Sequence, residues 1–191
     1  EAIEKTSNGG GSLEGYCISL LMDTSYSMTG EKIADAKNAL HKFIDGIDMN
    51  QNEIALVSFG DGVHLKEGFG GNKDNLKAEV DECQPGGATP LLKALEKSHD
   101  NFLAGKNKPV IVLATDGVPT DATKEVILEY AQVLKNENDV WILAVGIGRN
   151  VDENFLKDLA TSDYYFYAEL SEELCEIYDE IHDILEQLPS S

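Results

Sequence analysis

The sequence is poor in several residue types, and each shortage narrows the range of functions. Only 15 of the 191 residues are Lys or Arg, against 35 Asp and Glu, so the formal net charge is −20. Such an excess of negative charge argues against a surface that binds nucleic acid or an anionic membrane, because both of these partners are polyanions. No apolar run reaches the length of a transmembrane helix, so we expect no membrane insertion.

Cysteine is equally scarce. The three cysteines, Cys17, Cys83 and Cys175, lie at wide and unrelated spacings, which indicates neither a disulfide framework nor a zinc knuckle. The sequence also shows no secretion signal and no Asn-x-Ser/Thr glycosylation site. Together these absences lead us to expect a cytoplasmic protein.

The sequence does contain a regular alternation of apolar runs and amphipathic segments, the pattern of a doubly wound α/β fold. With 42% apolar residues, the chain can bury a substantial core. We therefore predict a Rossmann-like, mostly parallel six-stranded sheet with helices on both faces. Asp61-Gly62 is a typical two-residue hairpin turn, so the strand after it should be antiparallel and lie at the sheet edge.

The expected elements follow from hydrophobic periodicity. The predicted strands are 17–22, 53–59, 63–67, 108–114, 139–147 and 164–168. The predicted helices are 29–47, 73–83, 90–104, 122–135, 151–160 and 171–188. In the helix 122–135, the residues expected to face inward are Val126, Ile127, Tyr130, Val133 and Leu134.

Polar residues at three separated places indicate one shared site. Asp23, Ser25 and Ser27 follow the first strand, Thr89 lies in a glycine-containing loop, and Asp116 follows the fourth strand. Because ligands bind at the carboxyl ends of parallel strands, we expect these side chains to converge. Two carboxylates and three hydroxyls are hard oxygen donors that suit Mg²⁺, or Mn²⁺ or Ca²⁺, and suit zinc or copper poorly.

The set Asp23-x-Ser25-x-Ser27, Thr89 and Asp116 resembles the metal-ion-dependent adhesion site of von Willebrand factor type A domains. The order of elements is also similar to that family over residues 16–188. The resemblance implies that the three hydroxyls contact a divalent cation directly or through water, and that the two aspartates ligate it or hold its waters. It further implies that a Glu or Asp of a partner protein or peptide completes the coordination shell.

Each motif also has a simpler structural interpretation. Ser and Asp after a strand commonly form turns or cap a helix, and Thr89-Pro90 is typical of a helix start. Asp121 is expected to cap the helix that begins at Ala122, or else to brace the metal loop. Tyr26 and Met28 are expected to frame a docking surface.

These features predict a metal-dependent protein–protein interaction module rather than an enzyme. The alternative is a Mg²⁺-dependent phosphatase of the haloacid-dehalogenase type, which also places an Asp after its first strand. Such enzymes carry a second Asp as general acid two residues later, whereas this chain has Ser25 there.

We predict that residues 16–188 form the domain, preceded by a flexible tail, 1–15, and followed by a short tail, 189–191. The tail contains Gly9-Gly10-Gly11-Ser12, which resembles an engineered linker. Residues 1–8 are then either a grafted peptide, which can reach a metal site as a tethered ligand, or the remnant of an upstream domain.

Overall fold

Apolar runs separated by polar turns produce six strands and six α-helices in the computed structural model, which describes residues 15–188. The strands are β1 (Tyr16–Asp23), β2 (Glu53–Gly60), β3 (Gly62–Glu67), β4 (Lys108–Thr115), β5 (Trp141–Ile147) and β6 (Tyr165–Ala168). The helices are α1 (Glu31–Gly46), α2 (Lys73–Glu82), α3 (Leu91–Phe102), α4 (Lys124–Glu137), α5 (Glu153–Leu159) and α6 (Leu174–Gln187).

The sheet order is β3-β2-β1-β4-β5-β6, with only β3 antiparallel. The strand β1 lies at the centre and pairs in parallel with both β2 and β4, with Leu20 opposite Leu56 on one side and Val112 on the other. The strand order therefore reverses between β1 and β4. This confirms the predicted fold and places the ends of β1 and β4, where Asp23 and Asp116 lie, side by side.

Each face of the sheet carries its own apolar core. Side chains of β1 alternate between the two, so that Leu20 packs on the face covered by α1, α2 and α6, and Leu21 on the face covered by α3, α4 and α5. All eight residues of β1 are buried, as expected for a central strand covered on both faces. The strand is thus a rigid support for the loop that follows Asp23.

The inward face of α4 was predicted only in part. Ile127, Ala131 and Leu134 are its buried residues, whereas Val126 and Val133 are exposed, so the expectation for these two valines is wrong. Ile127, Ala131 and Leu134 recur at i, i+4 and i+7 and form the face that packs on the sheet, whereas Val126 and Val133 each lie one residue earlier, about 100° around the helix. The last predicted helix is also divided, since Ser171–Glu173 form a 3-10 turn before α6.

The predicted N-terminal tail, with its linker-like segment and the tethered-ligand hypothesis, lies outside the described residues except for Gly15, and so does the tail 189–191. Among residues 15–188, no helix combines the length and the apolar character required to cross a membrane.

Candidate metal-binding site

The loop after β1 is folded by Asp23 itself. The Ser25 backbone N–H donates to Asp23 Oδ1 at 2.8 Å, an Asx turn that reverses the chain as it leaves the strand. The turn brings the Ser25 and Ser27 hydroxyls to 3.0 Å from each other. Asp23 is 1% exposed and Ser25 is 2% exposed, so these two side chains are packed inside the protein, whereas Ser27 is exposed.

Three hydrogen bonds join this loop to the end of β4, donated by the Ser27 hydroxyl, the Thr115 hydroxyl and the Asp116 amide. The Ser27 hydroxyl donates to Asp116 Oδ1 at 2.6 Å. The Thr115 hydroxyl donates to Asp23 Oδ2 at 2.6 Å, and the Asp116 amide lies 3.4 Å from the same oxygen. The structure therefore brings Asp23, Ser25, Ser27 and Asp116 into one connected cluster. Sequence reasoning missed Thr115, whose hydroxyl orients Asp23.

Thr89 approaches from a third loop and is 5% exposed. A Cβ placed on Gly117 would lie 3.0 Å from Thr89 Oγ1, which puts that hydroxyl beside the Asp116 turn. The loop is anchored to the first one because the Tyr26 N–H donates to the Gly87 carbonyl at 3.1 Å. Gly87 has φ +73°, and a Cβ there would meet the Asp61 backbone at 2.5 Å, so only glycine fits.

Asp121 does not cap the helix that follows it. Its carboxylate accepts hydrogen bonds from the Leu92 amide at 3.2 Å and the Lys93 amide at 2.9 Å, in the first turn of α3. Thr123 caps α4 in its place. The expected Thr89-Pro90 helix start is also displaced, because α3 begins at Leu91. Asp121 thus ties the loop after Asp116 to the loop that carries Thr89.

Lys32 is a residue of the site that sequence reasoning missed. Its Nζ donates to Asp116 Oδ2 at 2.7 Å, from the first turn of α1. The sequence signal for Lys32 was a lysine in the first turn of a helix, where the positive end of the helix dipole disfavours a cation. A contact outside the helix is then expected to hold it there.

Burial dominates the electrostatics of Asp23. It raises the pKa of this carboxyl above its ordinary value, and the nearby Asp116 charge raises it further. The Ser25 and Thr115 hydrogen bonds act in the opposite direction, because they stabilise the charged form. The protein alone therefore does not fully stabilise the ionised form of Asp23.

The surface beside the cluster differs from the prediction in one residue. Tyr26 is 75% exposed and Val118 is 50% exposed, so both present apolar surface next to the site. Met28 is 1% exposed and belongs to the core between the sheet and α1, so its expected place on a docking surface is wrong. It is buried because the 3-10 turn Tyr26–Met28 directs Tyr26 outward and Met28 inward.

Comparison with known proteins identifies the family. The sequence profile of the von Willebrand factor type A domain matches residues 18–180. The chain belongs to that family. This von Willebrand factor type A domain is 28% identical over 190 residues to inter-alpha-trypsin inhibitor heavy chain H1 of Bos taurus, covering 90% of this chain and 19% of that protein. The chain thus spans about one fifth of the length of this curated relative.

Solved structures show the same fold. The domain superposes on proximal thread matrix protein 1 from the mussel byssus with a TM-score of 0.79, at 21% identity, over 91% of this chain and 47% of that one. A structure of the same mussel protein with a zinc-occupied MIDAS motif gives a TM-score of 0.79, at 22% identity, over 90% of this chain and 46% of that one. The manganese-loaded Plasmodium vivax TRAP protein gives a TM-score of 0.71, at 22% identity, over 86% of this chain and 72% of that one.

The expectation of a cytoplasmic protein is wrong. The similar proteins include an inhibitor heavy chain, a collagen chain of Xenopus laevis and a pilus tip protein, which are secreted, matrix or surface proteins and point away from the cytoplasm. Low cysteine content and the lack of a glycosylation site misled the prediction, because a domain with a large apolar core needs neither for stability.

Proposed function

We propose that this domain is a metal-dependent protein-interaction module in which five side chains hold a divalent cation and a Glu or Asp of a partner protein or peptide completes the shell. The five are Asp23, Ser25, Ser27, Thr89 and Asp116. The family consists of interaction and adhesion modules that are often metal-dependent. The observation that carries the proposal is the joining of two buried carboxylates and the Ser25–Ser27 hydroxyl pair at the switch point of the sheet.

The residues fit a hard divalent cation. All five donors are oxygens, and as whole residues Asp23 and Asp116 are 1% and 5% exposed. Placing two like charges together inside a protein is unfavourable unless positive charge compensates them. Lys32 compensates one charge at Asp116, and a bound cation would compensate the remaining charge, which centres on Asp23.

The donor set leaves Mg²⁺, Mn²⁺ and Ca²⁺ as candidates. Its few carboxylates and several hydroxyls favour Mg²⁺ or Mn²⁺, because strong Ca²⁺ sites supply more carboxylates. The zinc-occupied and manganese-loaded relatives support a divalent cation in this fold. When bound, the cation would supply a Lewis-acidic position for a carboxylate oxygen, while Tyr26 and Val118 offer apolar contact beside it.

The phosphatase alternative is not supported. Its general acid would have to occupy position 25, where the Ser25 hydroxyl instead pairs with Ser27 at 3.0 Å. A serine hydroxyl at this position cannot act as the carboxylic acid that such a reaction requires.

The test uses Mn²⁺ and acetate as defined probes. Isothermal titration of the full chain with Mn²⁺ measures metal binding, and water-proton relaxation of the Mn²⁺-loaded protein reports whether acetate displaces a bound water. We expect Asp116→Ala to abolish Mn²⁺ binding. Asp163→Ala removes an exposed acid just before β6, at the other end of the strands from the site, and should leave Mn²⁺ binding unchanged. Wild-type protein that binds no Mn²⁺, or equal affinity in the three proteins, would reject the proposal.

The tethered-ligand hypothesis has a separate test. If residues 1–8 supply the carboxylate, deletion of residues 1–11 should increase the relaxation of the Mn²⁺-loaded protein and strengthen acetate binding. Equal relaxation and equal acetate affinity in the deleted and full chains would discard the tether while leaving the metal site intact.

A further inference from the structure

Asp116 divides its two carboxylate oxygens between different partners. Oδ1 accepts a hydrogen bond from the Ser27 hydroxyl at 2.6 Å, and Oδ2 accepts one from the Lys32 ammonium at 2.7 Å. The Asp116 side chain is 1% exposed, whereas that of Lys32 is 37% exposed. One oxygen of Asp116 therefore faces the hydroxyl cluster, and the other is held by a cation that reaches in from the surface.

The ion pair with Asp116 explains why Lys32 lies at a helix position that disfavours a cation. Lys32 is the second residue of α1, where the positive end of the helix dipole disfavours a cation. Its side chain extends from α1 across the end of the sheet towards the turn after β5, since a Cβ on Gly148 would lie 3.8 Å from Nζ. Lys32 thus occupies the space beside the candidate metal site, between the ends of β4 and β5.

We infer that Lys32 is a positioning residue for Asp116. It holds Oδ2, so that Asp116 offers one oxygen to a cation, and it offsets part of the negative charge of the carboxylate. Lys32 thereby sets the balance between the affinity for the metal and the affinity for the partner's carboxylate. The inference rests on the proposed function. With Asp23, Asp116 and Lys32 together, the protein contributes one net negative charge, so a divalent cation leaves the site with one net positive charge. Without Lys32 the same site would be neutral.

The two affinities should then move in opposite directions when Lys32 is neutralised. Loss of a neighbouring positive charge strengthens binding of the cation, and it weakens the attraction of the loaded site for an anion. A partly screened charge–charge interaction near a protein surface is worth a few kcal/mol or less, so we expect a change of about tenfold in each affinity. A purely structural ion pair would give a different result, because its loss would loosen Asp116 and weaken both affinities.

The experiment compares Lys32→Met with Lys32→Arg, which keeps the charge, and with Lys42→Met, an exposed lysine on the same helix. Mn²⁺ affinity is measured by isothermal titration, and acetate affinity of the Mn²⁺-loaded protein by water-proton relaxation at constant ionic strength. Urea unfolding with a chelator present verifies that each variant is folded. We expect Lys32→Met to bind Mn²⁺ about tenfold more tightly and acetate about tenfold more weakly. Lys32→Arg and Lys42→Met should resemble the wild type.

The outcomes separate this inference from the proposed function. Wild-type protein that binds Mn²⁺ and acetate, combined with a Lys32→Met variant whose two affinities fall together or do not change, overturns the role of Lys32 alone. Wild-type protein that binds no Mn²⁺ overturns both. If Lys32→Arg, which keeps the positive charge, showed the same opposite shifts as Lys32→Met, the charge explanation would also be rejected.

Discussion

The Asp121 carboxylate accepts a hydrogen bond from the Leu92 amide at 3.2 Å, although the two residues are 29 positions apart. A side chain from the loop after β4 therefore caps α3, the helix that starts directly after the Thr89 loop. The link is strengthened by the Thr120 N–H, which donates to the Thr89 carbonyl at 2.9 Å, and by the Thr89 N–H, which donates to the Thr120 hydroxyl at 3.0 Å. The relative position of Thr89 and Asp116 thus depends on Thr120 and Asp121 together.

Asp121→Ala should lower the free energy of unfolding by about 0.5–2 kcal/mol, the usual effect of losing a helix cap. It should also weaken Mn²⁺ binding, because only the two hydrogen bonds to Thr120 would then hold Thr89 beside the Asp116 turn. Urea unfolding and isothermal titration measure the two effects. Asp163→Ala, with the same change in charge at an exposed position, is the control. Reduced stability with unchanged Mn²⁺ affinity would show that the cap does not position Thr89.

Much of the fold was predictable because it depends on local pattern. The apolar runs that became β1 and β4 are short, continuous and followed by Asp, which is typical of buried parallel strands. The Asp61-Gly62 pair predicted the antiparallel edge strand correctly, although Gly62, with φ +89°, is itself the first residue of β3 and pairs with Gly60. The common position of Asp23 and Asp116 followed from the topology rather than from either residue alone.

The unpredicted parts of the site depend on contacts between distant segments. Lys32 at the start of a helix is only a weak signal in the sequence, and the fold alone places its ammonium on Asp116. Asp121 precedes a helix and has the residue type of a cap, so a single sequence favours the nearer helix over α3. Thr115 reads as the end of a strand, and its bond to Asp23 requires the pairing of β1 with β4.

Truncation of Met28 and of Tyr26 should change the free energy of unfolding by very different amounts. Met28→Ala removes a side chain that is 1% exposed and should cost about 2–5 kcal/mol of stability, the range for large-to-small changes in a core. Tyr26 is 75% exposed, so Tyr26→Ala should change stability by about 0.5 kcal/mol or less. Urea unfolding compares the two. A large loss of stability in Tyr26→Ala would contradict its assignment to the free surface beside the site.

The three cysteines should differ in reactivity. Burial, with a hydrogen bond to Glu53, raises the pKa of the Cys17 thiol to about 11, and burial raises the pKa of Cys83. The thiolate is the reactive form, so both thiols should be nearly inert at pH 8. Cys175 is only partly buried. Iodoacetamide should therefore modify Cys175 first in the native protein, as mass spectrometry of the peptides would show. Equal labelling of Cys17 would indicate that the strand β1 opens readily.

The raised pKa of Asp23 predicts how stability depends on pH when no metal is bound. Burial is the largest cause, and it places the folded pKa above the ordinary value of 3.8. The folded state therefore retains the Asp23 proton over a range in which the unfolded chain has lost it. The stabilising contribution of this proton is complete below pH 3.8 and is lost as the pH rises through the folded pKa.

Asp23→Asn removes that loss because the amide stays neutral. In the presence of a chelator, the stability of the variant relative to the wild type should rise as the pH increases from about 4 and should level off above the folded pKa of Asp23. Saturating Mn²⁺ should stabilise the wild type more than the variant, because the metal stabilises a protein only to the extent that it binds the folded state. Urea unfolding at several pH values, with chelator and with Mn²⁺, measures both differences. A stability difference that does not change with pH in the chelator series would show that Asp23 carries no uncompensated charge.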